Sequence, residues 1–261
     1  MSDSSKLITD KRQIYLKNML QEKGYSVFLA EELSMQEKRQ LFSQVHSAPF
    51  LYLLPVPAPE EELNFLKIFS NPQAILLGGN FPRNFTDFCL KRKIAFVDYM
   101  RAETVVMENA IATAESIISH AILETPINIQ SSKALVIGYG KCGEILAEKL
   151  HALHADVFIA TRNPLARKRA ECYGYHIHKS SFFAEYDFIF NTAPAMVLPK
   201  ETIDLLKQDA CIFDIASKPG GTDFSYCEEK GIKAKLYPGL PGKYAPKSSA
   251  EIIFRYLLTV L

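Results

Sequence analysis

Tryptophan is absent from this sequence and cysteine is scarce. Five cysteines are spread through 261 residues (Cys89, Cys142, Cys172, Cys211, Cys227), with no CxxC pair and no metal-ligand spacing. That scarcity argues against a disulfide framework and a zinc module, and points to reduced, mostly structural thiols in a cytosolic protein without a metal site. Neither sign of charge dominates: 30 Lys and Arg face 29 Asp and Glu, for a net charge of +1. No overall field therefore gathers nucleic acid or an anionic membrane, although a local basic pocket stays possible. No apolar run approaches the roughly 18 residues of a membrane span. The opening Met1-Ser-Asp-Ser-Ser5 lacks the basic-then-apolar order of a secretory signal. Neither nucleic acid nor a membrane is an expected partner.

What is present is ordinary globular composition, 48% apolar and 23% charged, long enough for two small domains. The second half alternates short strand and helix patterns, which argues for a parallel sheet. Its predicted strands are Ala134–Gly138, Asp156–Ala160, Asp187–Thr192, Cys211–Ala216 and Ala234–Tyr237. They read as apolar on both faces, as strands covered by helices on each side must. Helices are predicted at Gly143–Leu153 and Pro164–Tyr173, the latter with Asn163 as N-cap and Pro164 in the first helical position. The first half reads similarly: strands at Lys6–Thr9, Tyr25–Leu29, Phe50–Leu54, Ala74–Leu77 and Ile94–Val97, and helices at Arg12–Glu22 and Glu60–Phe69. A long helix over Thr104–Leu123 links the halves, with a cleft expected between them. Ser248–Leu261 reads as a final amphipathic helix, opened by Pro246, capped by Ser248 or Ser249, and returning to the first lobe.

The segment Ala134-Leu-Val-Ile-Gly138-Tyr139-Gly140-Lys141-Cys142-Gly143 places GxGxxG between an apolar strand and a helix. A bare GxGxxG can be a glycine turn with no ligand, but this flanking context is the one a dinucleotide fingerprint requires. Gly138 allows the tight turn, Gly140 the approach of a pyrophosphate, and Gly143 close helix–strand packing. The helix amides then bind phosphate. NAD sites usually carry an acidic residue about 20 residues further on, against the ribose 2′-hydroxyl. Here the next strand ends in Ala160-Thr161-Arg162-Asn163, while Asp156 lies at its start, on the wrong edge. Arg162 can pair with a 2′-phosphate, Thr161 and Asn163 supply neutral donors, and Arg167 or Lys168 is a further candidate. NADP(H) is favoured over NAD(H); the plainer reading leaves Arg162 as a solvated surface residue.

Three further segments end at the carboxyl edge, where open α/β sheets bind ligands. Asn191-Thr192-Ala193-Pro194 offers short side chains to a nicotinamide ribose. Asp214-Ile-Ala-Ser-Lys218-Pro-Gly-Gly221 and Tyr237-Pro-Gly-Leu-Pro-Gly-Lys243-Tyr-Ala-Pro-Lys247 place lysines where an anionic substrate would sit. Any one of those lysines can equally be a solvated loop residue. The fold class is α/β: two Rossmann-like lobes, the C-terminal one a doubly wound parallel sheet, joined by a long connecting helix. The predicted boundaries are 1–103 for a substrate lobe, 104–125 for the connecting helix, 126–243 for the NADP-binding domain and 244–261 for the C-terminal helix.

In these motifs the chain resembles the dipicolinate synthase A-subunit family of spore-forming bacteria. The segments that carry the resemblance are Val136–Gly143, Asn191–Met196, Asp214–Asp223 and Pro238–Lys247, and more weakly Asn109–Glu115. The resemblance implies oxidation of dihydrodipicolinate, or its hydrated precursor, to dipicolinate, with NADP as cofactor. It also implies a partner, the flavoprotein-like B subunit, and action in the mother-cell cytosol during sporulation. The substrate is then a small dicarboxylate, and a homo-oligomer is possible. Aromatisation removes a hydride and a proton, so a base is needed. Glu115 is the first candidate for a base or substrate-orienting group. Asp214 is the second, with capping of the Ser217–Gly221 turn as its alternative role, and Lys218 joins them as a substrate contact. Two places depart from the family pattern: Thr9-Asp10-Lys11-Arg12-Gln13 lacks the usual glycines, and Ala112 and Ser116 stand where Pro and Gly are usual. The alternative readings are a non-catalytic NADP-binding subunit or a shikimate-type dehydrogenase, although no Lys–Asp pair matching the latter is found in the first lobe.

Overall fold

The structure is a computed structural model that describes residues 9–179 and 183–261. The chain divides into two compact units, Met1–Asn109 with Ala245–Leu261, and Ala110–Tyr244. In chain order the first contains α1 (Arg12–Glu22), β1 (Val27–Leu29), α2 (Met35–Ser43), β2 (Phe50–Leu53), α3 (Glu60–Ile68), β3 (Ala74–Gly78), α4 (Arg83–Arg92) and β4 (Ala95–Asp98). The 22-residue α5 (Glu103–Glu124) then runs from the first unit into the second. The four strands form a parallel sheet in the order β1-β2-β3-β4. Because successive side chains alternate across a strand, Phe50 and Tyr52 of β2 join Phe42, Phe65 and Phe85 in one core. Leu51 and Leu53 join Leu16, Leu20, Ile253 and Leu257 in the other.

The second unit continues with β5 (Lys133–Ile137), α6 (Lys141–Ala152), β6 (Asp156–Ala160), α7 (Pro164–Cys172), β7 (His176–Ile177), β8 (Phe188–Asn191), α8 (Lys200–Ile203), β9 (Cys211–Asp214), α9 (Phe224–Lys230), β10 (Lys233–Leu236) and α10 (Leu240–Tyr244). α11 (Pro246–Leu257) belongs to the first unit. The six strands are parallel in the order β10-β9-β8-β5-β6-β7. Numbered within this domain, that order is 6-5-4-1-2-3, the doubly wound arrangement, and it reverses between β5 and β8. Asn163 caps α7 as its sequence requires, accepting from Leu165 N and Ala166 N. No helix among the described residues is long and apolar enough to cross a membrane.

Several expectations need correction. The strand at Lys6–Thr9 falls outside the described residues except for Thr9, which is not in a strand. α11 starts at Pro246 itself, with Ala245 at its N-cap and no side-chain cap, and Ser249 is buried inside the helix. β10, one of the two edge strands, is not covered on both faces: Lys233 and Lys235 are exposed on one face, and Ala234 and Leu236 are half-buried on the other. The two-residue β7 was not predicted, since so short a strand leaves no period to read. α6 begins two residues earlier than predicted, at Lys141, because Gly140 occupies the N-cap in an extended conformation.

Candidate functional site

The sheet order forces a crevice where chain connections diverge to opposite faces, beyond the carboxyl ends of β5 and β8. A cleft of about 850 Å³ opens there. Its walls come from Ile137 and Gly138 at the end of β5, from Ala160, Thr161, Arg162 and Asn163 at the end of β6, and from Ala193 and Val197 after β8. Arg167 and Glu171 of α7 and Ile177, His178 and Lys179 at β7 complete it.

Each glycine of the fingerprint has a separate physical reason. Gly138 lies at φ +93, and a Cβ there would stand 2.4 Å from the Thr192 hydroxyl. Gly143 packs against the same turn, where a Cβ would come 2.1 Å from the Gly138 carbonyl oxygen. A Cβ on Gly140 would meet nothing within 4 Å, so this is the open position where a ligand backbone can approach. Tyr139 turns into the core, and burial pushes its phenol up to about 12. It offers a ligand its backbone only. Lys141 and Cys142 open α6; burial raises the Cys142 thiol above its ordinary value and keeps it protonated.

The Asn191–Pro194 turn holds itself together. Asn191 is fully buried, accepts from Ala193 N at 3.0 Å and donates to Ala193 O at 3.2 Å. Thr192 donates to Ile137 O at 3.0 Å, tying the turn to the end of β5. Thr192 is therefore a clamp of the glycine turn, while Ala193 lines the cleft and Pro194 is exposed beside it.

Arg162 and Arg167 are both exposed and both line the cleft, with Thr161 between them and the strand end. Among the described residues, the only carboxylate on this wall is Glu171, and Lys168 engages it at 3.0 Å. Asp156 sits at the far end of β6, 3.1 Å from His176. These residues fit a dinucleotide: an open glycine turn and uncapped helix amides for its phosphates, with two guanidinium groups beyond the end of β6.

The three catalytic candidates are not brought together. Asp214 is fully buried. Its Oδ1 accepts from Ala216 N at 3.0 Å, and its Oδ2 accepts from Gly221 N at 2.8 Å and from the Thr222 hydroxyl at 2.9 Å. Those bonds hold the Ser217–Gly221 turn, on which Lys218 stands exposed. Glu115 is set apart from this edge. It pairs at 2.8 Å with Lys149, eight residues past Lys141 and so about 12 Å along α6, toward the amino edge of the sheet. The Glu115 side chain is 61% exposed. An exposed pair contributes under about 1 kcal/mol, so Glu115→Gln should leave both thermal stability and nicotinamide-cofactor affinity within error of the parent, as scanning calorimetry and titration would read. Of the lysines, Lys243 lies on α10, and Lys247 opens α11 in the first unit. In the first unit the glycine-free turn is a buried network: Arg12 donates from Nε and Nη2 to Asp10, both at 2.8 Å, and Gln13 donates to the Tyr99 hydroxyl at 2.9 Å.

His178, Lys179, Glu171 and Val197 line the cleft without having been foreseen. None belongs to the glycine motif, and His178 and Lys179 follow the unpredicted β7.

Comparison with known proteins agrees with this architecture. The family model for the NAD binding domain of D-isomer specific 2-hydroxyacid dehydrogenases matches residues 112–216, which run from α5 to just past β9. Salmonella D-lactate dehydrogenase shares the fold, with a TM-score of 0.69 at 14% identity, covering 97% of this chain and 94% of that one. The dipicolinate synthase A subunit of Bacillus subtilis (strain 168) is 28% identical over 276 residues, which span 97% of this chain and 93% of that protein. The crystal structure of the dipicolinate synthase A subunit from Bacillus halodurans superposes with a TM-score of 0.83 at 25% identity, over 95% of this chain and 94% of that one. The chain is thus similar to the dipicolinate synthase A subunit in sequence and in fold, and its residues 112–216 match the NAD binding domain of a dehydrogenase family, which supports a nicotinamide cofactor.

Proposed function

We propose that this chain is an NADP-dependent oxidoreductase subunit that oxidises dihydrodipicolinate, or its hydrated precursor, to dipicolinate for sporulation, working in the cytosol with a B subunit. The observation that carries the cofactor choice is the end of β6. No carboxylate stands at Ala160–Asn163, and Arg162 and Arg167 line the cleft there. A carboxylate at that point would repel a 2′-phosphate, whereas a guanidinium matches its geometry. The substrate choice is supported by the full-length similarity to the dipicolinate synthase A subunit. Five free thiols suit a reducing compartment.

When bound, the nicotinamide supplies the hydride acceptor. Gly138, Gly140 and the first-turn amides of α6 hold the pyrophosphate, and Arg162 holds the ribose phosphate. Ala193 leaves room beside the nicotinamide ribose. Lys218 would contact a substrate carboxylate; its exposure, on a turn that Asp214 holds, supports that role.

Purified chain, NADP+ and dihydrodipicolinate formed in situ from pyruvate and aspartate semialdehyde should yield dipicolinate and NADPH in equal amounts, in the presence of the B subunit if not alone. Arg162→Ala should slow the reaction about tenfold at limiting NADP+, with the rate recovering at saturation, because an exposed charge-assisted pair is lost from cofactor binding alone. No dipicolinate with or without the B subunit, despite measurable NADPH binding, would sink the substrate assignment.

A further inference from the structure

In the second unit, α5 turns an apolar face to solvent. Between Ala110 and Glu124 its exposed residues are Ile111, Glu115, Ser119, Ile122 and Leu123. They recur at helical spacing and so form one stripe. A helix on the outside of a protein normally carries several charges on that side, yet this stripe carries one. Ile122 is 53% exposed and Leu123 80%, while Ala114, Ile117 and Ala121 on the other side of the helix fill the core. A helix that is apolar on both sides has the composition of one that is covered on both sides.

Beside the stripe a groove of about 460 Å³ runs between α5 and α6. Ile118, Ile122 and Leu123 line it from α5, and Ala152 and Leu153 from the end of α6. Ile118 is buried, whereas Leu153 is 42% exposed. The Glu115–Lys149 ion pair closes one end. No residue of this groove lines the cofactor cleft.

We propose that this α5–α6 face docks a second copy of the chain in a two-fold symmetric dimer, with Ile122 and Leu123 of each copy seated in the groove of the other. Shape and charge both select an identical copy. A two-fold contact needs one patch that presents the ridge as well as the recess the ridge enters, and here the two lie side by side. The patch holds one carboxylate and one ammonium, already paired at 2.8 Å, so it has no net charge with which to choose an acidic or a basic partner. The chain as a whole carries a net charge of +1, and two copies therefore approach with little long-range repulsion. Apolar side chains left in water at this density mark a contact surface. Because the contact uses no cleft residue, it stands whatever cofactor and substrate the chain takes.

Sedimentation velocity on the full chain tests this. The parent should sediment as a dimer at about 10 μM. Ile122→Glu and Leu123→Glu each place a good helix former at an exposed position, so the fold should hold, as far-UV circular dichroism checks. Each also puts two carboxylates into the apolar centre of a two-fold contact and should weaken pairing about 100-fold or more. Leu165→Glu, at a comparably exposed leucine on α7, should leave the dimer intact. A parent chain that stays monomeric at about 100 μM overturns the proposal and leaves this face to a different protein. A dimer that survives both α5 substitutions, or one that Leu165→Glu breaks as readily, overturns it as well.

Discussion

Gly143→Ala should abolish nicotinamide-cofactor binding and lower stability, whereas Gly140→Ala should weaken binding with the fold intact. The contrast follows from what each added methyl meets. At Gly143 the Cβ would stand 2.1 Å from the Gly138 carbonyl oxygen and 3.0 Å from its carbonyl carbon, and both atoms are backbone. No rotamer relieves that clash, so α6 must move away from the turn by on the order of 1 Å. Overpacking of this kind costs about 1–3 kcal/mol. It also shifts the helix amides that would address the pyrophosphate, and nicotinamide-cofactor affinity should fall about 100-fold or more. At Gly140 the methyl meets nothing within 4 Å and the φ of −96 suits any residue, so the melting temperature should hold. The methyl fills space reserved for ligand, so affinity should still drop. Calorimetry and NADPH titration on the two variants separate these effects. A Gly143→Ala protein with normal melting and normal affinity would show that close helix–strand packing is not what that glycine provides.

Asp214→Ala should destabilise the second unit by about 3 kcal/mol, because it strands the buried Ala216 and Gly221 amides and the Thr222 hydroxyl. For a protein of this size such a loss lowers the melting temperature by roughly 6–12 °C. A carboxylate that accepts three hydrogen bonds in full burial organises its surroundings and has little left to offer a substrate proton. Asp214→Asn keeps one acceptor oxygen and turns the other into a donor, so its loss should be smaller yet clear. An Asp214→Ala protein that melts like the parent but has lost turnover would restore Asp214 to the chemistry.

The local order of the second unit was legible along the chain. Phe188–Asn191 and Cys211–Asp214 are largely apolar runs, and both strands are buried along their whole length. Asn163-Pro164 announced the start of α7, and the fingerprint glycines lie where each glycine's absent Cβ would collide or crowd a ligand. These features are visible because they are local: propensity, capping and backbone conformation act over a few residues. Three-dimensional packing alone assigned the rest. Glu115 reads as a carboxylate on a central helix, but which face it presents depends on α6 packing beside it, and Lys149 turned out to be its neighbour. Asp214 reads equally as base or cap until the folded turn supplies three donors. β10 resembles a covered strand, but one of its faces, carrying Lys233 and Lys235, is exposed. His178 lies in no motif; register with β6 brings it to the cleft wall. Local chemistry determined the elements and the glycine turn, whereas contacts between residues distant along the chain decided which side chains share the site.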